Sequence, residues 1–326
     1  MGRSDLKRLP VLVALLLCAA TFAACASPTS RLRDFATDRG LERRTLVAGG
    51  FELTVFENAA FRRNEASPAA ALPVASDRID TPAGPAAVLS PRPDDARPVL
   101  HVYLEGDGLP WMYRVIVTPD PTPRRPLMLG LMSLDEAPAV YIGRPCYNGT
   151  SRDAGCDDAL WTSARYSDRI VDSMAEAIRA LAERHDYPVF RLFGHSGGGT
   201  LALLLAARLS GALDVVTIAG NLDTDAWTVH HGYSPLRDSL NPATEPELAA
   251  RVTQWHLLGG GDRVVPPALV RPYIERAARA TGVEFPSFTH GCCWSRVWPG
   301  VLRAVRRGDE GQLPGRVFRR AAEQDR

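Results

Sequence analysis

Val189-Phe190-Arg191-Leu192-Phe193-Gly194-His195-Ser196-Gly197-Gly198-Gly199-Thr200 is the stretch that decides the fold. Its first five residues are a short, mostly apolar run of the kind that forms a buried strand. Residues 200–209 are almost wholly apolar and predict a buried helix, which Gly211 can end. Between them stands Gly194-His195-Ser196-Gly197-Gly198, a G-x-S-x-G pentapeptide in the strand–turn–helix setting that the motif requires. A serine on so sharp a turn is held in a strained backbone, so its neighbours must be small. The turn lifts the hydroxyl above the sheet, and the N-terminus of the next helix lends it partial positive charge. A glycine-rich phosphate-binding turn uses similar residues, so the pentapeptide alone leaves its role open.

On both sides of this stretch the chain alternates strand and helix. Residues 99–104 and 139–142 are apolar runs of strand length, and 168–183 carries Ile170, Met174, Ile178 and Leu181 at helical spacing behind a capping Ser167. Strands are expected at 215–219 and 254–258, a helix at 267–280, a last strand at 283–288 and a closing helix at 295–306. Pro286 inside that last strand suggests a sheet edge. Earlier, residues 44–56 read as a hairpin turning at Gly49-Gly50. Residues 67–98 are an Ala- and Pro-rich surface excursion that cannot hold a central strand. Such alternation means a mostly parallel sheet with helices on both faces.

Two further segments bear on Ser196. Gly259-Gly260-Gly261-Asp262-Arg263-Val264-Val265-Pro266 follows the expected strand 254–258, and His290 follows the last strand in Phe288-Thr289-His290-Gly291. The pentapeptide, the D-x-x-V-P setting of Asp262 and the chain order Ser, Asp, His together make residues 99–306 resemble the α/β-hydrolase superfamily. The resemblance implies a triad: Ser196 as nucleophile, His290 as base and Asp262 as the acid that orients the imidazole. Asp223 and Asp225, after the preceding strand, are rival acids. His101 and His256 fall inside strands and suit core packing better than catalysis.

Leu104-Glu105-Gly106-Asp107-Gly108 stands where the superfamily places its oxyanion loop, although glutamate replaces the usual histidine. The implied donors are the backbone N–H groups of Gly197 and of Asp107 or Gly108. Residues 221–251 occupy the position of a small lid insertion. Its Trp227, His230, His231 and Tyr233 suit either a pocket wall or simple packing.

The N-terminus reads separately. Arg3, Lys7 and Arg8 precede an apolar run that ends at Ala23-Ala24-Cys25, the layout of a signal peptide over 1–24. The site also resembles a bacterial lipobox with Phe22 where leucine is usual, which implies a lipidated Cys25, a tether over 25–43 and a catalytic domain over 44–326. The expected location is the bacterial cell envelope, held to a membrane through the N-terminal lipid. In that oxidising setting Cys146, Cys156, Cys292 and Cys293 favour at least one disulfide, with the pairing open. No cofactor is implied, and no His/Cys cluster has metal-site spacing. The net charge of +1 gives no reason to expect a nucleic-acid partner. The expected activity is hydrolysis of a small carboxylic ester. Amide hydrolysis on the same fold, or a non-catalytic ligand-binding lipoprotein, are the alternatives.

Overall fold

A computed structural model describes residues 27–65 and 97–319. The expected signal peptide, Cys25 and nearly all of the 67–98 excursion lie outside the described residues. In chain order the first elements are helix α1 (Pro28–Thr37), strands β1 (Glu42–Ala48) and β2 (Phe51–Glu57), helix α2 (Ala59–Glu65) and strand β3 (Val99–Leu104). Then come the two-residue strands β4 (Trp111–Met112) and β5 (Ile116–Val117), helix α3 (Leu127–Met132), strand β6 (Ala139–Ile142), helix α4 (Asp168–Arg184) and strand β7 (Val189–His195). Helix α5 (Gly197–Arg208), strand β8 (Ala212–Ile218), helix α6 (Thr224–His231) and strand β9 (Thr253–Gly259) follow. Helix α7 (Pro267–Arg276), strand β10 (Ala280–Phe285), helix α8 (Trp298–Arg307) and strand β11 (Arg316–Arg319) complete the order.

The main sheet runs β1-β2-β6-β3-β7-β8-β9-β10-β11. Its six central strands, from β6 to β10, are parallel, while β1, β2 and β11 pair antiparallel at the two sides. Parallel strands are buried on both faces, and period-two alternation sends neighbouring side chains to opposite sides. Leu100, Val102 and Leu104 of β3 accordingly join one core with α4, α5 and α7. Tyr103 faces the other way and joins α1, α3 and α8. There it stacks on Phe193 with ring centroids 4.8 Å apart, and Trp298 meets Phe193 edge-on at 5.4 Å. Such aromatic pairs add about 0.5–1.5 kcal/mol beyond the area they bury.

Most expected elements are present, and the differences have local causes. The Gly49-Gly50 turn has φ of +54° and +77°, the left-handed pair that a two-residue hairpin requires. Ser167 is the N-cap of α4, but its hydroxyl makes no cap hydrogen bond. Helix α7 ends at Arg276 rather than at 280, because Ala277 turns extended and residues from Ala280 pair with β9. Pro286 follows the last strand instead of lying within it, and that strand is not an edge, since β11 covers it. The Arg-Val-Phe-Arg of β11 is too short and too charged to read as a strand. Within the stretch expected as a tether, α1 is a packed helix with Leu32 and Ala36 buried.

His256 in β9 is fully buried, with Thr217 Oγ1 2.9 Å from its Nδ1 and no partner for Nε2 among the described residues. Burial pushes its pKa down to about 3. An unfolded histidine titrates near about 6.5, so between these values the unfolded chain binds more protons and stability falls as pH falls. The slope is at most about 1.4 kcal/mol per pH unit from this residue. The urea midpoint should therefore drop between about pH 7 and about pH 5, and His256→Gln should flatten that drop. Equal slopes in the two proteins would remove His256 as the cause.

Candidate active site

The parallel strands deliver their loops to one end of the sheet, and the expected residues meet there. Ser196 follows the last residue of β7 and precedes α5, with φ 54° and ψ −121°, a conformation that few non-glycine residues adopt. Its backbone N–H donates to Ile218 O at 3.0 Å, and its carbonyl accepts from Gly199 and Asn221, so neighbouring strand and helix over-determine the strained turn. The residue remains partly exposed.

His290 Nδ1 lies 2.8 Å from Asp262 Oδ2. The other oxygen of Asp262 accepts from the N–H groups of Val264 and Val265 at 2.8 and 2.9 Å, which fixes the carboxylate beneath the imidazole. Burial pushes the His290 pKa down, the hydrogen bond to Asp262 opposes this, and the nearby His195 adds to the lowering. The rivals are engaged elsewhere. Asp223 accepts from Ala226 N–H at the start of α6, and both Asp223 and Asp225 accept from Asn241 Nδ2.

His195, the variable position of the pentapeptide, has a part that the sequence does not reveal. Its Nε2 lies 2.9 Å from the backbone carbonyl of His290, which also accepts from Trp294 Nε1 at 3.1 Å. The loop that carries His290 is thereby tied to the residue preceding Ser196. Such a link joins residues 95 apart in sequence, so no local signal marks it.

The β3–β4 loop packs against the same turn. A Cβ at Gly106 would stand 3.4 Å from Ser196 Cβ. Glu105 is buried and accepts from Met128 N–H at 2.9 Å at the start of α3. Asp107 receives Arg144 Nη1 at 2.7 Å, Arg165 Nη1 at 3.0 Å and the Tyr166 hydroxyl at 2.6 Å. Burial alone would raise its pKa, but Arg144, Arg165 and the hydrogen bonds prevail and hold it at about 2. Tyr147 donates to the Asp107 carbonyl at 3.1 Å. Arg144, Tyr147, Arg165 and Tyr166 escape the sequence reading because a buried arginine looks like any other until its partner is known.

Gly197 is the first residue of α5, so its N–H has no intrahelical acceptor. The structure places the Asp107 carboxylate beside Gly197. A cleft of about 760 Å³ is lined by Arg165, a partner of Asp107, together with Trp111, Trp227, Tyr233 and Leu236. Trp227 Nε1 donates to Val264 O at 2.8 Å, two residues beyond Asp262.

Strand order, elbow and loop placement together define the α/β-hydrolase fold, which this chain has. Among solved structures it is similar to puromycin hydrolase, at 18% identity and a TM-score of 0.51, covering 83% of this chain and 40% of that one. The chain thus spans less than half the length of that protein. It is also similar to an esterase from Pyrococcus furiosus (9% identity, 85% and 95% covered, TM-score 0.49). A third is a serine hydrolase without lid from Xanthomonas campestris (19%, 84% and 95%, TM-score 0.45). No protein-family model matches the chain, and no curated protein does.

The crowding at Gly197 is directly testable. A Cβ there would stand 2.0 Å from Asp107 Oδ1 and 2.3 Å from the Tyr166 hydroxyl. Gly197→Ala should destabilise the fold by about 1–3 kcal/mol, the usual cost of overpacking. Chemical denaturation reads this, and an unchanged midpoint would show that the loop yields freely.

Proposed function

We propose that this chain is a serine hydrolase that cleaves carboxylic esters through an acyl-enzyme. The observation that carries the reading is the Asp262–His290 pair, tied through His195 to a serine in an elbow conformation. Asp262 engages Nδ1, which leaves Nε2 of His290 as the base. Ser196 Oγ attacks the ester carbon as Nε2 takes its proton, and the C=O electron pair moves to the oxygen. The backbone N–H of Gly197, and that of Asp107 or Gly108, would hold this oxyanion. Collapse breaks the bond to the alkoxy oxygen, which leaves with the proton from His290. Water, deprotonated by the same nitrogen, then attacks the acyl carbon; the C–Oγ bond breaks, Nε2 returns the proton to Ser196 Oγ, and the carboxylic acid leaves. The chemistry of these groups requires no cofactor.

A fluorophosphonate should label Ser196 alone and abolish turnover of p-nitrophenyl esters in parallel. Ser196→Ala and His290→Ala should each remove most activity, the double variant little more, and Asp262→Asn should cost about 10⁴-fold. Because only neutral imidazole accepts the serine proton, activity should rise with pH. The lowered His290 pKa should place that rise below the range of an ordinary histidine. Full activity in Ser196→Ala would overturn the assignment. Turnover of aminoacyl-anilides without ester turnover would move it to amide hydrolysis.

We also propose export, cleavage before Cys25 and acylation of that cysteine, on the strength of the n-region, apolar run and Ala23-Ala24-Cys25. Cys146 and Cys156 are bonded across the loop that follows β6, and Cys292 is bonded to Cys293 two residues after His290. An oxidising compartment suits both pairs. Mass spectrometry of the unreduced mature protein should find a lipidated Cys25 at the N-terminus and a linked Cys146–Cys156 peptide. An unmodified N-terminus beyond residue 25 would remove the anchor.

A further inference from the structure

Among the described residues ten large apolar side chains are exposed, and seven of them are Trp111, Tyr113, Val115, Ile116, Val229, Tyr233 and Val264. Three of these are extreme: Tyr113 is 87% exposed, Val115 75% and Val229 81%. The seven come from the β4–β5 hairpin, from α6 and the residues just after it, and from the loop before α7, which touch one another. Arg114, between Tyr113 and Val115, donates to the His231 carbonyl at 3.1 Å and lies 4.7 Å over the Tyr233 ring. His231 Nε2 and Trp227 Nε1 both lie 2.8 Å from Val264 O. These contacts bring the segments that carry the seven residues together as one belt, and Trp111 and Tyr233 in it line the cleft that Arg165, a partner of Asp107, also lines. A soluble monomer rarely leaves so much apolar surface together without a use.

We infer that this belt seats the mouth of the cleft on a phospholipid surface, so that the ester substrate is an acyl lipid drawn from the layer itself. The substrate part rests on the ester-hydrolase reading above; the docking does not. Tryptophan and tyrosine with arginine among them is the composition that favours the headgroup level of a bilayer. Arg114 and Arg263 are exposed within the belt and suit anionic headgroups. The chain also enters the domain on this side. Thr29 Oγ1 donates to Asp120 Oδ2 at 3.2 Å, just beyond β5, and Thr29 lies against Gly149. Only two residues separate Pro28 from Cys25, a reach of at most about 10 Å. A lipid on Cys25 would hold the belt against the same membrane, and one acyl chain with a second attachment binds far better than either alone. An acyl chain leaving the bilayer through the belt would reach the cleft without crossing water.

The test uses the full chain and the variant Tyr113→Asp/Val115→Asp/Val229→Asp, whose three positions lie outside the cleft lining. Aspartate tolerates the left-handed backbone of residue 113, where φ is 51°. Vesicles of equal parts phosphatidylcholine and phosphatidylglycerol carry a fluorogenic acyl ester. The variant should hydrolyse it about tenfold more slowly, while turnover of dissolved p-nitrophenyl acetate stays as in the wild type. In the wild type, vesicles should slow amide hydrogen exchange over 111–117 and 229–233. Equal vesicle rates with unchanged exchange overturn the docking. Slowed exchange with neither ester cleaved keeps the docking and overturns the ester reading. A mass difference between wild type and variant without lipid makes the belt a contact between copies, which also overturns the lipid assignment.

Discussion

Asp107 carries its negative charge between two buried guanidinium groups, and the geometry of the candidate site depends on that balance. Arg144 comes from the loop after β6 and Arg165 from the segment before α4, while Asp107 belongs to the loop after β3. Three stretches far apart in sequence converge because removing one charge would leave the others desolvated and unpaired, a loss of about 3–5 kcal/mol for a buried pair. The carboxylate also fills the space beside Gly197. The loop expected to supply oxyanion donors is thus positioned by electrostatics from behind and by close contact from the front.

The second support is a pair of contacts to one backbone carbonyl. His195 and Trp294 both reach the carbonyl of His290, and Trp294 is itself buried against Phe285 and Phe288. The imidazole is therefore placed through its backbone as well as through Asp262. Two such contacts leave the imidazole little freedom to shift.

Much of this was legible in the sequence where the constraint is local. The G-x-S-x-G turn needs small residues in adjacent positions, and the buried strands show as unbroken apolar runs because water touches neither face. Asp262 and His290 were legible through their place after strands and through resemblance. The partners of Asp107 were not, since burial of Arg144 and Arg165 is a property of the assembled fold. Nor was β4–β5, whose strands of two residues leave no period to detect. The ends of α7 and β10 moved because pairing with β9 outweighs the helix propensity of an alanine-rich segment.

Both outermost strands are dressed in charge. β1 begins Glu42-Arg43-Arg44 with all three side chains exposed, and β11 is bounded by Arg316 and Arg319. An outer strand presents unpaired N–H and C=O groups to any passing chain, and charged side chains there make pairing costly. The nine-stranded sheet of the described residues is consequently a poor template for fibril growth or strand exchange at either end, however apolar its middle.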